Sequence, residues 1–295
     1  MYLITGSNGF VGRSVVRALD QLGLPNSGLT GRLNDIEQIA SQLDDIDTII
    51  HLASSVRYGR ERRLNLTDID GTRNLIEASR QSGVNHIVFI SQLGADPQSL
   101  YPVLRAKGVI EEMLLKSGIP VTIIRSATLY GRDDRFLTPV TSLAFWNWPF
   151  VWLPGGGRSL LQPLWVEDLV RIILEVSDTL DLKGYRGKIY IAAGEERFHY
   201  EDLVRLVLET ASLNRQLLPI NMTWVRLATR ALFGWRRNPP ITLFFLDRLN
   251  KPEIADLDIV HRQFGFHPTR MMDQISYLRR PGLARYVFGN LLARR

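Results

Sequence analysis

The sequence contains no cysteine, which excludes disulfides, thiolate metal sites and a cysteine nucleophile. Its five histidines form no HxxxH or HxH pair, so we expect no metal site of the zinc-enzyme type. No run of about 18 apolar residues is present that could span a bilayer. The nearest approach, residues 143–153, is too short and contains Asn147 and Pro149. A secretory signal peptide is not expected either, because the first apolar run leads directly into glycines.

Acidic residues are outnumbered by basic ones, and the basic residues are unevenly chosen. The net charge is +6, with 31 arginines against 5 lysines. Nine of these arginines lie in two stretches without any acid, from Trp224 to Leu246 and from Arg279 to Arg295. Such a charge is suited to nucleic acid, an anionic membrane or an acidic protein partner. With 295 residues, 45% hydrophobic and 22% charged, the composition is typical of a soluble globular protein.

Short β-like runs alternate with segments of helical period in the first half of the chain, a pattern typical of βαβ units. Strands are predicted over residues 2–5, 48–53, 86–91, 121–125 and 189–193, and helices over residues 11–22, 72–82, 107–117 and 166–178. Between the first helix and the strand at Thr48, a helix over residues 35–43 leaves room for one short strand around residues 28–33. The pattern predicts an α/β fold with a Rossmann-like doubly wound parallel sheet and a shortened second-strand region.

The second half is mainly helical, with helices predicted over residues 200–212, 222–233, 241–250 and 269–278. We therefore expect a small, mostly helical C-terminal lobe. The dinucleotide-binding domain is predicted over residues 1–130, completed by residues 162–194. The helical substrate or partner lobe is predicted over residues 131–161 and 195–295, with the dinucleotide in the cleft between the two.

The glycines Gly6, Gly9 and Gly12 are spaced three apart, directly between the first predicted strand and its helix. The first allows a tight turn, the second lets the backbone approach a pyrophosphate, and the third lets helix and strand pack closely. The start of the helix then offers unpaired N–H groups to the phosphates. An ordinary βα turn is the alternative interpretation. The predicted phosphate-binding residues run through the whole loop: Gly6, Ser7, Asn8, Gly9, Phe10, Val11 and Gly12.

The glycine spacing resembles that of the short-chain dehydrogenase/reductase superfamily, in its extended or atypical branch of NAD-dependent epimerase/dehydratase-like proteins. Further segments match the same superfamily in the same order, at residues 47–53, 68–75, 88–91, 107–112, 117–125 and 162–168. The C-terminal part is similar to the dinucleotide-binding accessory subunit of respiratory complex I and its bacterial relatives. This second resemblance rests on residues 153–168 and on the basic, aromatic helices.

The superfamily resemblance implies chemistry by a tyrosine, a lysine four residues later and a serine. The tyrosine exchanges a proton with the substrate, while the lysine lowers the pKa of the tyrosine and holds the nicotinamide ribose. Lys107 and Ser91 occupy the lysine and serine positions, but Val103 stands at the tyrosine position. Tyr101 lies two residues earlier, about 200° around a helix, so it would face away from Lys107. Tyr101 can serve only if the helix begins after Pro102 and the loop returns its ring to the site.

The resemblance also implies cofactor contacts from the ends of other strands, at Leu52, Ala53, Ser54, Ser91, Lys107 and Ser126. The residue that reads the adenine ribose lies roughly 20 residues beyond the glycine loop, which here falls on Thr30 and Arg32. No acid stands there to favour NAD, whereas Arg32 is suited to pair with a 2′-phosphate and so favours NADP. A surface arginine in a shortened loop fits the sequence equally well, so NAD and NADP both remain open.

The segment between Trp224 and Arg237 is amphipathic at helical spacing. Its two faces carry Trp224, Leu227, Ala228 and Ala231 on one side and Arg226, Arg230 and Arg237 around the other. One interpretation is a lid helix that packs its apolar face on the sheet lobe. The other is an interfacial helix on an anionic membrane or against a membrane-protein partner. The segment from Arg279 to Arg295 repeats this composition.

Together these features predict an NAD(P)-binding protein with a degenerate catalytic site, acting as an accessory or assembly subunit of a membrane-bound redox complex. The alternative is an active NAD(P)-dependent oxidoreductase or isomerase on an apolar substrate such as a quinone or isoprenoid. We expect the chain in the cytoplasm, peripheral on the cytoplasmic face of a membrane. Nucleic acid is not an expected partner, because the resemblance brings no nucleic-acid module and basic charge alone is not a site.

Overall fold

The structure, a computed structural model, describes residues 1–146, 149–178, 180, 183–235, 239 and 241–279. The chain divides into two units. The sheet unit comprises Met1–Val56, Arg60–Ser126 and Val166–Ala192. The helical unit comprises Arg57–Gly59, Ala127–Trp165 and the described residues from Ala193 onward.

The helices and strands follow one another in the alternating order that the sequence predicts for the first half of the chain. In chain order the strands are β1 (Tyr2–Thr5), β2 (Asn26–Gly28), β3 (Thr48–His51), β4 (His86–Gln92), β5 (Val121–Ser126), β6 (Leu129–Tyr130), β7 (Phe150–Pro154), β8 (Leu160–Leu161), β9 (Leu164–Trp165), β10 (Ile189–Ala192), β11 (Phe198–His199) and β12 (Gln216–Ile220). The helices are α1 (Phe10–Gln21), α2 (Ile36–Ala40), α3 (Glu61–Arg63), α4 (Asp70–Ser82), α5 (Pro102–Leu115), α6 (Leu137–Trp146), α7 (Val166–Val176), α8 (Tyr200–Thr210), α9 (Met222–Phe233), α10 (Leu243–Arg248), α11 (Ile259–Phe264) and α12 (Met271–Gln274). A π-helical stretch, Leu64–Ile69, joins α3 to α4.

Six parallel strands form the sheet of the first unit, as far as the structure describes it, in the order β10-β5-β4-β3-β1-β2. Both β1 and β3 are buried along their whole length, which is typical of a parallel sheet covered on both faces. From β1 the chain adds β2 on one side and then crosses to β3 on the other. The carboxyl ends of β1 and β3 therefore flank the point where the strand order reverses, and the predicted Rossmann-like sheet is confirmed.

The second strand is shorter than a regular strand and lies earlier than its predicted position around residues 28–33. It pairs with β1 from Tyr2↔Asn26 to Ile4↔Gly28. The last contact with β1 is made by the Leu29 N–H, which donates to the Ile4 carbonyl oxygen at 2.9 Å. The backbone N–H and the hydroxyl of Thr30 then donate to Gln42 Oε1 at 2.8 Å. This contact spans twelve residues, so the local apolar pattern does not reveal it.

The helical unit has its own core, which gathers residues of α6, α8, β7 and the C-terminal helices. Tyr130, Phe136 and Leu203 are buried at its centre. The short sheet of β7 and β12 is parallel and leads directly into α9. Among the described residues, no helix is both long enough and apolar enough to cross a membrane.

In α9 the structure places Arg226 opposite the apolar side, as the helical spacing predicts. Arg226 is half-buried there and forms an ion pair with Asp247 of α10, so this side of the helix faces the protein. The sequence pattern does not reveal this, because Asp247 lies 21 residues further along the chain. Arg236, Arg237 and the residues after Arg279 lie outside the described residues.

Candidate dinucleotide site

The loop between β1 and α1 is built so closely that two of its three glycines leave no room for a side chain. Gly6 has φ +72°, and a Cβ there would lie 2.9 Å from the backbone of Ala53. A Cβ on Gly12 would lie 2.2 Å from the Gly6 carbonyl oxygen. Gly9 donates its N–H to that same oxygen at 2.9 Å and closes the turn. The glycines therefore hold the loop against the end of β3, as the tight turn of a dinucleotide site requires.

The N-terminus of α1 faces outward from this loop. Its N-cap is Gly9, without a side-chain cap, and its first turn contains no acidic residue. Asn8 and Gly9 are exposed, while Ser7, Phe10 and Val11 are half-buried. The first backbone N–H groups of a helix have no intrahelical acceptor, and together with the helix dipole they favour an anion. This geometry is suited to a pyrophosphate.

The segment after β3 lies against the glycine loop and contains the predicted contacts Leu52, Ala53 and Ser54. The backbone N–H groups of Leu52 and Ala53 both donate to Thr5 Oγ1 at 3.1 Å, which fixes this segment against the end of β1. The Ser54 hydroxyl donates to Asp68 Oδ2 at 2.7 Å. The structure therefore brings the glycine loop and residues 52–54 together at one edge of the sheet.

Asp68 is a residue that the sequence interpretation missed. It is 2% exposed, and its second oxygen accepts the backbone N–H of Ser55 at 2.8 Å. The signal was an acid within the matched segment at residues 68–75, but its partners lie 13 and 14 residues earlier in the chain. A buried carboxylate that accepts two hydrogen bonds stabilises the turn on which the cofactor contacts are expected.

His51, at the end of β3, joins β1 to α4 through a buried chain of hydrogen bonds. Thr5 Oγ1 lies 2.7 Å from His51 Nδ1, and His51 Nε2 lies 2.9 Å from Thr72 Oγ1. Because Thr5 Oγ1 already accepts two backbone N–H groups, its own hydrogen is directed to Nδ1, which leaves the ring hydrogen on Nε2. Burial, with a smaller contribution from Lys107, lowers the pKa of His51 to about 3. His51 is therefore a neutral structural residue.

A pH dependence of stability follows from His51. The unfolded chain takes up a proton near pH 6.5 whereas the folded chain does not until about pH 3, so the free energy of unfolding falls as the pH is lowered through this window. The expected slope from this one group is about 1.4 kcal/mol per pH unit. Urea unfolding of the wild type and of His51→Gln across this window measures it, since other titrating groups are common to both proteins. Equal slopes would contradict the assignment.

Lys107 lies on α5 with its ammonium group enclosed beside β4. Its Nζ donates to the Ile90 carbonyl oxygen at 2.8 Å and lies 4.5 Å from the centre of the Phe89 ring. Burial lowers the pKa of Lys107, while Asp68 and Glu111 oppose that shift. One of its three N–H donors is used by Ile90, which leaves two for a ligand such as a ribose.

Two predicted serines lie at the same edge as Lys107. Ser91 and Ser126 are each 4% exposed at the ends of β4 and β5. The Ser91 hydroxyl has no hydrogen-bond partner among the described residues. A buried hydroxyl without a partner is unusual in a folded protein and is typical of a position that a ligand completes.

The start of α5 differs from the prediction and changes the position of Tyr101. The helix begins at Pro102, five residues before the predicted start, and Tyr101 is its N-cap with an extended backbone. Because Tyr101 is the N-cap and not a helical residue, the helical rotation does not fix the direction of its side chain, although the helix begins at Pro102 and not after it. Val103 is buried one turn before Lys107, on the same face of α5. The structure thus keeps an aliphatic side chain at the position expected for the proton donor.

The predicted ribose-reading residues lie after β2. Thr30 and Arg32 are both exposed, and Thr30 is held in place by Gln42. Gln42 is a second residue that the sequence interpretation missed, since it acts across twelve residues. Residues 29–34 contain one cation and no carboxylate.

The sequence is similar to a known family and to several known proteins. Residues 6–141 match a family described as NAD(P)H-binding. The mitochondrial NADH dehydrogenase (ubiquinone) 1 alpha subcomplex subunit 9 of Arabidopsis thaliana is 28% identical over 230 residues, which cover 70% of this chain and 56% of that relative. The Photosystem II assembly factor Ycf39 of Cyanophora paradoxa is 24% identical over 299 residues, 94% of this chain and 90% of the relative.

The solved structures show the same fold. DesIV, a dTDP-glucose 4,6-dehydratase from Streptomyces venezuelae with NAD and TYD bound, superposes with a TM-score of 0.72 at 18% identity, over 98% of each chain. The predicted resemblance to the complex I accessory subunit is confirmed among the relatives, and the solved structures confirm the predicted fold. The glycine loop lies within the residues that match the NAD(P)H-binding family.

Proposed function

We propose that this chain, which carries an NAD(P)H-binding domain on the fold of the short-chain dehydrogenase/reductase superfamily, holds its dinucleotide without turning it over. In this proposal the bound nucleotide stabilises the protein, which serves as an accessory or assembly subunit of a membrane-bound redox complex. The observation that carries the proposal is the pairing of a retained lysine, Lys107, with an aliphatic residue, Val103, one helical turn before it.

The chemical reason is the missing proton. Hydride transfer between a nicotinamide and a carbonyl carbon needs a group that gives or takes the proton of the oxygen, and such a group typically contributes about 10²–10⁴-fold to the rate. Val103 has no such proton. Lys107 still offers two N–H donors for the ribose, so binding is preserved where catalysis is lost.

The relatives support the accessory role. One is named as a subunit of a mitochondrial NADH dehydrogenase and another as an assembly factor of Photosystem II, both of which are membrane complexes. We therefore propose that this chain works on the aqueous side of a membrane, attached to such a complex. The matched region covers just over half of the first relative. The proposal that the nucleotide is not turned over therefore rests on this chain's own residues and not on that relative.

The competing function is an active oxidoreductase or isomerase on an apolar substrate. The extended backbone of Tyr101 favours it, because a tyrosine outside the helix is free of the helical rotation that would direct it away from Lys107. Tyr101→Phe separates the two functions, since it removes one hydroxyl group and keeps the ring.

The test uses cells that lack the chain and are then supplied with variants. If the role is accessory, the amount of assembled redox complex falls on deletion and is restored fully by wild type and by Tyr101→Phe. The variant Gly9→Asp, which is expected to lose nucleotide binding, restores the amount of complex poorly. Failure of a folded, nucleotide-bound Tyr101→Phe protein to restore the complex would favour the enzyme instead.

For the cofactor we propose NADP, read by Arg32. Arg32→Ala should weaken NADPH binding by roughly 1.5–3 kcal/mol, the usual contribution of a charge-assisted hydrogen bond, and leave NADH unchanged. Calorimetry with both nucleotides measures this difference. Arg73→Ala, which removes an exposed arginine paired with Asp70 on α4, is the matched control. Equal losses for NADPH and NADH in Arg32→Ala would reject the role.

A further inference from the structure

Helix α9 presents its apolar side to solvent. Trp224 is 65% exposed, Leu227 57% and Leu232 61%, and Trp235, just beyond the helix, is 72% exposed. Ala228 and Ala231 between them are exposed as well. At 100° per residue these six positions fall within about 140° of one another, so they form one stripe along the helix. We call them the α9 stripe.

The opposite side of α9 faces the protein and fixes the orientation of the helix. Thr229 is buried, and Met222 and Phe233 are half-buried. Arg226 on this side is held by the Asp247 carboxylate of α10. A surface helix of a globular protein normally turns its apolar face to the core and its charges outward. In α9 a large apolar stripe faces outward although the inner side is fixed by these contacts, so the exposed stripe is a property of the fold.

The charge around the α9 stripe indicates what covers it. Arg230 is exposed beside the stripe, whereas Arg226 on the other side is already paired with Asp247. The sequence from residue 210 to residue 246 contains no acid. A second copy of this face would bring like charges together. The segment from Arg279 to Arg295 is also basic and free of acids, so the same objection applies to it. Charge complementarity therefore favours an anionic occupant.

The residue types favour lipid over an acidic protein. Trp224 and Trp235 stand at the two ends of the stripe, and Trp152 on β7 is 49% exposed in the same unit. Tryptophan is enriched where hydrocarbon meets water, and a helix with an apolar stripe flanked by arginine is typical of one that lies in the plane of that interface.

We propose that α9 lies in the interface of an anionic bilayer, with its stripe inserted at the boundary of headgroups and acyl chains and Arg230 among the lipid phosphates. The proposal rests on the proposed function in placing the chain at a membrane. It requires neither bound nucleotide nor any partner protein. Insertion of apolar side chains differs from electrostatic docking, because it persists in part when salt screens the charges.

The absence of cysteine makes a direct test possible. Leu227→Cys or Leu232→Cys, labelled with a polarity-sensitive dye such as NBD, should brighten and shift to the blue on vesicles of phosphatidylcholine with phosphatidylglycerol. The same label at Leu22→Cys in the sheet unit or Met272→Cys on α12, both exposed apolar positions, should not respond. If the protein binds vesicles while the emission of the label at residues 227 and 232 stays that of NBD in water, the proposal is overturned.

Charge substitutions give the second arm. Leu227→Glu with Leu232→Glu should lower vesicle partitioning about tenfold or more at low and high salt, because both side chains leave the apolar layer. Leu22→Glu with Met272→Glu should leave it unchanged. Binding to native membranes but not to vesicles of their extracted lipids would assign the stripe to a protein and overturn the proposal. Self-association through the labelled positions without lipid would assign it to a second copy.

Failure of the membrane proposal can be distinguished from failure of the proposed function. Gly9→Asp should lose its nucleotide and still bind vesicles. A protein that inserts α9 and never holds a nucleotide would contradict the proposed function alone, whereas a nucleotide-bound protein that ignores vesicles would contradict this inference alone.

Discussion

Gly9→Asp is expected to abolish NAD(P)H binding while leaving the protein folded. Gly9 has φ −74° and ψ 176°, an extended backbone that any residue adopts, so the substitution introduces no strain of the left-handed kind. Aspartate is also a favoured N-cap, and its charge complements the helix dipole of α1. The same carboxylate would occupy the place of the pyrophosphate and repel it. Loss of two charge-assisted hydrogen bonds, at about 1.5–3 kcal/mol each, corresponds to at least a hundredfold loss of affinity.

Calorimetric titration with NADPH and NADH measures this effect, and thermal unfolding shows whether the fold is intact. Gly9→Ala is the matched control: its Cβ, like that of aspartate, would lie 3.0 Å from the Gly6 carbonyl oxygen, but it brings no charge. We expect a modest loss of affinity for Gly9→Ala and no binding measurable above background for Gly9→Asp. Full affinity of Gly9→Asp for NADPH and NADH would show that the glycine loop does not bind the nucleotide.

Val103→Tyr is expected to create or accelerate hydride transfer. Val103 is buried on the face of α5 that also carries Lys107, so a tyrosine there would place its hydroxyl on the side of the ammonium group. The nearby cation would lower the pKa of the new phenol, and a positioned proton donor typically contributes about 10²–10⁴-fold. Turnover of NAD(P)H with small ketones and quinones, followed by absorbance, measures the gain.

Val103→Phe is the control for that experiment, because it introduces the same ring without the hydroxyl. A gain with tyrosine and none with phenylalanine assigns the effect to the proton. If the wild type already reduces a quinone or ketone rapidly, and Lys107→Met destroys that activity, the degenerate site is wrong and the chain is an enzyme.

The sheet could be predicted because its signals are local. Buried β-branched runs such as Thr48–His51 and His86–Gln92 alternate with amphipathic helices, and every predicted strand of the sheet except the second falls within two residues of its predicted bounds. The second strand lies earlier than predicted, and the residues after it are held by a distant side chain, Gln42, that no local pattern reveals. The start of α5 was also missed, although Pro102 is a common first residue of a helix.

The candidate site also has parts that the local sequence predicts and parts that it does not. The glycine loop is a contiguous motif, and its spacing alone pointed to phosphate binding. The chain of hydrogen bonds from Thr5 through His51 to Thr72 joins residues 46 and 21 positions apart, so no local pattern announces it. Helical period likewise showed that α9 has two faces. It could not show which face turns outward, because that is decided by Asp247 and the core of the helical unit.

In the proposed role this chain holds a nicotinamide dinucleotide without turning it over. The nucleotide released from purified protein, identified by mass spectrometry before and after incubation with a quinone, shows whether this is so. We expect a stoichiometric amount of NADP(H) or NAD(H) whose redox state the quinone leaves unchanged. Protein that carries no nucleotide and binds none on addition, or bound nucleotide that the quinone oxidises within seconds, would contradict the proposed role.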